Sequence, residues 1–139
     1  MKFLQKAFTL VELLVVIAII GILASVVLAS LNDARQQGKD AKVMSEMGSI
    51  AKRAAIDESQ TFTFDTVCGS NGFASSAKIV ALIASINSIA SSTVTCNSDT
   101  TSYAVSAPMG TAHWCVDNGG AQKEIPAALT TSPVQLSCP

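Results

Sequence analysis

No proline occurs before Pro108, histidine is limited to His113, and aromatic residues make up 5% of the 139-residue chain. The first absence leaves a long N-terminal stretch free of the residue that most reliably breaks a helix. Beyond residue 58 basic side chains are also scarce: Lys78 and Lys123 stand against Asp65, Asp99, Asp117 and Glu124. No surface suited to a phosphate backbone can be built from them, which excludes nucleic acid as an expected partner. There is no Cys-x-x-Cys pair, no Gly-x-x-x-x-Gly-Lys phosphate loop and no Gly-x-Ser-x-Gly elbow. Nothing in these patterns argues for an enzyme, a cofactor or a metal.

His113, Cys115 and Asp117 are the one cluster that resembles a catalytic or metal set, because alternate residues of a strand share a face. The set lacks a second histidine, an oxidised Cys115 would be inert, and acids such as Asp117 are common where a strand enters a turn. Asp99 and Asp117 are likewise too few to form a calcium site.

The charges that are present come in blocks. Lys2 and Lys6 lead, and residues 32–58 carry five basic and five acidic side chains within a formal net charge of −1. The distal region is instead rich in serine and threonine, a composition that suits exposure outside the cell. Cys68, Cys96, Cys115 and Cys138 all lie in that region, at separations of 28, 19 and 23 residues. An even number of cysteines after a membrane or export segment reads as two disulfides formed in an oxidising compartment. Three connectivities are open. Cys68–Cys96 with Cys115–Cys138 is favoured, because each pair closes a loop around one local unit and the second ties down the C-terminus. Each closure would stabilise a small domain by roughly 3–4 kcal/mol on the loop-entropy model.

The chain's apolar content is concentrated near its start. Leu13 to Leu31 is interrupted only by Ser25, Ser30 and small residues such as Gly21, and as a helix it would span roughly 28 Å, enough to cross a bilayer. Glu12, at its beginning, is the oddity: a carboxylate at mid-membrane costs about 3 kcal/mol, less near the interface. A simple membrane anchor would let Glu12 reach water while Lys2 and Lys6 set the orientation. An ordinary signal peptide cut after Ala24 or Ala29 would discard the whole apolar segment. Neither accounts for the hexapeptide Ala7-Phe8-Thr9-Leu10-Val11-Glu12.

That hexapeptide, behind a short basic leader and ahead of an apolar helix, resembles the prepilin signal of type IV pilins and type II secretion pseudopilins. The resemblance implies cleavage between Ala7 and Phe8 by a prepilin peptidase and methylation of the new amino terminus at Phe8. A mature chain of 139 − 7 = 132 residues would result. Two departures from the family's pattern stand out. Alanine replaces the usual glycine before the cut, and there is no early proline, so Gly21 is the one candidate weak point of the helix. The resemblance further implies that Glu12 pairs with the Phe8 amine of a neighbouring subunit, so that two charges stranded in an apolar setting neutralise each other on assembly.

The rest of the chain suits an α+β fold of pilin type. One helix is expected from Phe8 to about Glu58, its transmembrane or filament-core part at 8–31 and its amphipathic continuation at 32–59. On that continuation Val43, Met47, Ile50 and Ala54 mark a stripe, and Arg53 and Asp57 are spaced for an ion pair. A disulfide-stabilised head at 60–139 follows. It holds a short helix at about Ala77–Ala90, with Ile79, Leu82, Ile83, Ile86 and Ile89 on one face, and a three-stranded antiparallel sheet. The strands are expected from Ser102, from Thr111 to Asp117 and from Ala121 to Ile125, turning at Pro108-Met109-Gly110 and Asn118-Gly119, with Tyr103, Val105, Trp114 and Val116 packed on the long helix.

The expected function is that of a structural subunit of a pilus-like filament. Its expected partners are other copies or related pilins, the prepilin peptidase, an inner-membrane assembly platform and, before assembly, membrane lipid. Its expected location is the cytoplasmic membrane, with the head outside the cytoplasm, and then a surface or periplasmic filament. A pseudopilin of a secretion or DNA-uptake system, and a secreted or membrane-tethered binding domain, are the rival readings.

Overall fold

A computed structural model describes residues 9–90 and 93–139, and its first element, α1, runs from Leu10 to Thr61. With no proline to interrupt it, the backbone continues unbroken for 52 residues, through Gly21 and a stretch rich in β-branched Val and Ile. The helix outlasts its expected end near Glu58 by three residues. It stops at Phe62, whose backbone adopts φ 57° and whose N–H donates to the Glu58 carbonyl at 2.7 Å. This is the single-bond left-handed cap, with phenylalanine where glycine is usual.

By contact density the chain divides after Gln36. In the first unit the large apolar side chains of α1, from Leu10 to Leu31, are all exposed. Ser25 satisfies its hydroxyl within the helix, donating to the Ile22 carbonyl at 2.7 Å, the arrangement that lets serine sit in apolar surroundings.

In the second unit α1 buries Val43, Met47, Ile50, Ala54 and Asp57. The spacing of four and three residues keeps all five on one face. Beside Asp57 the Arg53 guanidinium makes the expected i,i+4 ion pair at 2.5 Å. A single short turn, α2 (Asp65–Cys68), leads to α3 (Ala77–Ala90), where Ile79 and Ile86 are buried and Leu82, Ile83 and Ile89 pack partly against the same core.

The sheet has four antiparallel strands in the order β1-β2-β3-β4, not three: β1 (Thr95–Ser98), β2 (Tyr103–Met109), β3 (Ala112–Asp117) and β4 (Gln122–Ile125). The extra strand, Thr95-Cys96-Asn97-Ser98, lacks the apolar alternation that marks strands. Long-range contacts hold it: its full length pairs with β2, Cys96 is bonded to Cys68, and the Asn97 amide donates to the carbonyls of Thr130 and Gln135.

Both expected turns also differ in detail. β2 continues through Pro108 to Met109, so the bend falls on Gly110 (φ 57°) and Thr111. Pro108 lies past the end of the β1 ladder, where β2 has a strand neighbour on one side only and a missing N–H is tolerated. At the second turn the left-handed residue is Gly120 (φ 85°), after a turn closed by its N–H to the Asp117 carbonyl at 3.2 Å. This is a longer hairpin loop than a two-residue Asn-Gly turn.

The two faces of the sheet are covered differently. Tyr103, Val105, Ala107 and Val116 join Val43, Met47, Ile50, Ala54 and the α3 isoleucines in the main core, with Trp114 only partly buried at its margin. On the other face Ala104, Cys115 and Ile125 are covered by Leu129 and Cys138 of the C-terminal tail. The tail is fastened by the Leu129 N–H to Ser106 Oγ at 3.1 Å and by the Cys138 N–H to Asp117 Oδ2 at 2.8 Å.

Candidate assembly site on the long helix

Thr9 precedes α1, and with Glu12 it forms a reciprocal cap. The Thr9 N–H and hydroxyl both donate to Glu12 Oε2 at 2.8 Å, and the Glu12 N–H donates back to Thr9 Oγ1 at 3.3 Å. Thr-x-x-Glu is the capping-box pattern: each side chain satisfies an amide that the first helical turn leaves without a partner. The spacing Thr9-Leu10-Val11-Glu12 carries this signal in the sequence itself. The carboxylate therefore has local donors within its own chain. Val11, Val15 and Val16 flank it on the helix surface.

The expected cleavage point, Ala7–Phe8, and the methylation site at Phe8 lie outside the described residues, as do Lys2 and Lys6. The described part of the segment is the acid, its threonine and the apolar run that follows. α1 is long and apolar enough to cross a membrane by length and composition, and its apolar window has no side-chain burial within the chain. A contiguous exposed apolar surface of this kind is a mark of contact with lipid or other protein.

Among the described residues the head carries no comparable reactive arrangement. His113 is half-buried with its Nδ1 unpartnered, Cys115 is bonded to Cys138, and the Asp117 carboxylate accepts the N–H groups of Ala121 and Cys138. The three share a strand without converging on a ligand. Asp99 is occupied by its own turn, accepting from the Thr101 and Ser102 amides at 2.8 Å. Among the described residues no three His, Cys, Asp or Glu side chains are grouped to hold a metal.

Two ionisable groups brace the head. Asp65 is buried and accepts from Ser70 Oγ (2.6 Å), Thr63 Oγ1 (2.7 Å), Asn71 Nδ2 (2.9 Å) and Thr100 Oγ1 (3.3 Å). The Ser70 hydroxyl, followed by the Thr63, Asn71 and Thr100 donors, holds its carboxyl below the ordinary value of 3.8 against the opposing effect of burial. It ties the segment after α1 to the β1–β2 turn, beside the Cys68–Cys96 disulfide. Tyr103 is pushed up to about 12, first by burial and then by the nearby Asp117 charge. Sequence reasoning missed the Asp65 hub, because Thr100 joins from 35 residues away.

Residues 2–28 match the family described as the prokaryotic N-terminal methylation motif. The chain is 46% identical over 57 residues to the type IV major fimbrial protein FimA of Dichelobacter nodosus, covering 41% of this chain and 35% of that protein. It is 44% identical over 59 residues to fimbrial protein Q of Moraxella bovis, covering 41% and 38%. It is 52% identical over 60 residues to the type IV major pilin protein PilE1 of Neisseria gonorrhoeae, covering 42% and 34%. The chain thus spans little more than a third of the length of these relatives. No solved structure matches it.

Proposed function

We propose that this chain, whose N-terminal segment is similar to those of type IV major pilins, is a structural subunit of a surface filament. The observation that carries the reading is the unbroken exposed apolar surface of Leu10–Leu31 with a single acid, Glu12, in its first turn. Lipid covers that surface in the precursor, and neighbouring helices cover it in the filament. The names of the relatives, major fimbrial and pilin proteins, favour a pilus over a secretion machine.

In this mechanism a prepilin peptidase cuts between Ala7 and Phe8, and the Phe8 amine is methylated. The precursor stays in the cytoplasmic membrane with the Thr9 donors on Glu12, which limits the cost of an acid near the apolar layer. On assembly Glu12 exchanges these donors for the Phe8 amine of a copy already in the filament, and two partly dehydrated charges neutralise each other. The disulfide-bonded head stays outside the cytoplasm.

The test is Glu12→Gln in cells that make the full chain. Membrane-inserted, cleaved subunit should accumulate at the wild-type level while sheared surface filament falls by at least tenfold. Wild-type filament yield from Glu12→Gln would sink the charge-pairing step.

A further inference from the structure

One of the donors to Asp65 is an amide that water can convert to an acid. Ser70 to Phe73 form a tight turn, closed by the Phe73 N–H to the Ser70 carbonyl at 2.9 Å, and both central residues have positive φ, 50° at Asn71 and 85° at Gly72. Asparagine followed by glycine takes this mirror-image turn readily. The turn faces solvent, and nothing lies within 4 Å of where a Gly72 Cβ would stand. Inward, Asn71 Nδ2 donates to Asp65 Oδ1 at 2.9 Å. The Asn71 side-chain oxygen and the Gly72 N–H have no partner among the described residues.

A second Asn-Gly pair, Asn118-Gly119, is held more closely. The Asn118 side chain accepts from the Tyr103 N–H and donates to the Thr101 carbonyl, both at 3.4 Å, and its own N–H donates to the Tyr103 carbonyl at 3.3 Å. Asp117 Oδ1 also comes within 3.2 Å of where a Gly119 Cβ would stand. Turning the Asn118 side chain onto its own backbone would break contacts at both of its ends, whereas at Asn71 the carbonyl end is free.

We propose that Asn71 is a site of spontaneous deamidation, and that the carboxylate it leaves places a like charge against Asp65. The Gly72 nitrogen, giving its proton to solvent, attacks the Asn71 side-chain carbonyl carbon; the bond to Nδ2 breaks, and Nδ2 takes up a proton and leaves as ammonia. Glycine has no side chain to obstruct that attack. Water then opens the cyclic imide at either carbonyl, giving aspartate or isoaspartate. Overall, an amide and a water become a carboxylate and an ammonium ion.

The change withdraws one of the four side-chain donors to Asp65, Thr63, Ser70, Asn71 and Thr100, and puts an acid in its place. None of the three remaining donors is a cation. β1 adds the Ser98 hydroxyl, 3.2 Å from Ser70 Oγ, Asp99 is turned onto its own amides, and Tyr103 of β2, stacked on Phe64, stays neutral below the ordinary tyrosine range. Two carboxylates at hydrogen-bond distance raise one another's hold on a proton, so the pair supports the fold at low pH and weakens it as pH rises. The unmodified hub has the opposite sign.

The test ages the purified full chain in detergent micelles in mildly alkaline buffer and maps the amide-to-acid mass gain and isoaspartate at each asparagine. Asn71 should react at least fivefold faster than Asn118, and Asn71→Gly, which suits the left-handed backbone, should remove that signal. Separately, Asn71→Asp should lower the head's thermal midpoint at neutral pH by roughly 5 °C or more. Acidifying from about pH 7 to about pH 5 should recover most of that loss while the wild-type midpoint stays level. An intact Asn71 amide in a chain whose Asn118 has reacted would overturn the modification site. An Asn71→Asp head as stable as wild type at neutral pH, or a loss that acid does not recover, would overturn the like-charge step.

Discussion

The Thr9 hydroxyl and the Glu12 carboxylate are joined at 2.8 Å across the first turn of α1, and the Thr9 amide reaches the same oxygen at the same distance. An acid at the head of the long apolar run thereby gains two donors from its own chain. Thr9→Val removes the hydroxyl at nearly constant volume and should let the first turn fray. Amide exchange at residues 10–13 in detergent micelles should quicken by about fivefold, within the usual range for a lost helix cap. Unchanged exchange would show that the cap does not operate in an apolar medium.

The Asp65 hub gives the head an acid limit. A carboxyl held below its unfolded value stabilises the fold fully above that value, and the contribution is lost as pH falls through the folded one. Unfolding followed by circular dichroism should therefore show stability dropping as pH falls below about 3.8. Asp65→Asn should lower the thermal midpoint at neutral pH by roughly 5–10 °C through mispaired donors, and flatten the acid limb.

Tyr103 sets the opposite limit. Its folded value is raised, so its contribution is complete below the ordinary tyrosine value of 10 and is lost as pH climbs towards about 12. It is the only tyrosine in the chain, so phenolate absorbance reports on it alone. Titration should be displaced upward in the folded head, and Tyr103→Phe should remove that part of the alkaline slope.

Packing should divide along the helix. Ile50 is fully buried in the main core, and Ile50→Ala should cost roughly 2–5 kcal/mol of head stability in a denaturant titration. Val27 is exposed in the apolar segment, and Val27→Ala should leave head unfolding unchanged.

What was legible in the sequence follows from the range of the forces involved. The long helix, the α3 isoleucine face and the alternation in β2 and β3 are local patterns, and each could be read from neighbours three, four or two residues apart. β1 could not, because Asn97 and Cys96 owe their places to Thr130, Gln135 and Cys68. The same reason hid the Asp65 hub. Phe62 was missed because nothing in Thr61-Phe62-Thr63 announces a left-handed residue where glycine is usual. In the candidate site the acid and its apolar run were plain from composition, while the Thr9 cap needed geometry to show that Glu12 already has donors.

The filament reading is tested most directly by the intact mass and N-terminal sequence of the mature protein recovered from cells. The account predicts a chain that begins at Phe8 with a methylated amine and has 132 residues, 139 − 7, with two fewer hydrogens for each disulfide. A mature chain beginning at Ser25 or Ser30, with α1's apolar run removed, would contradict it.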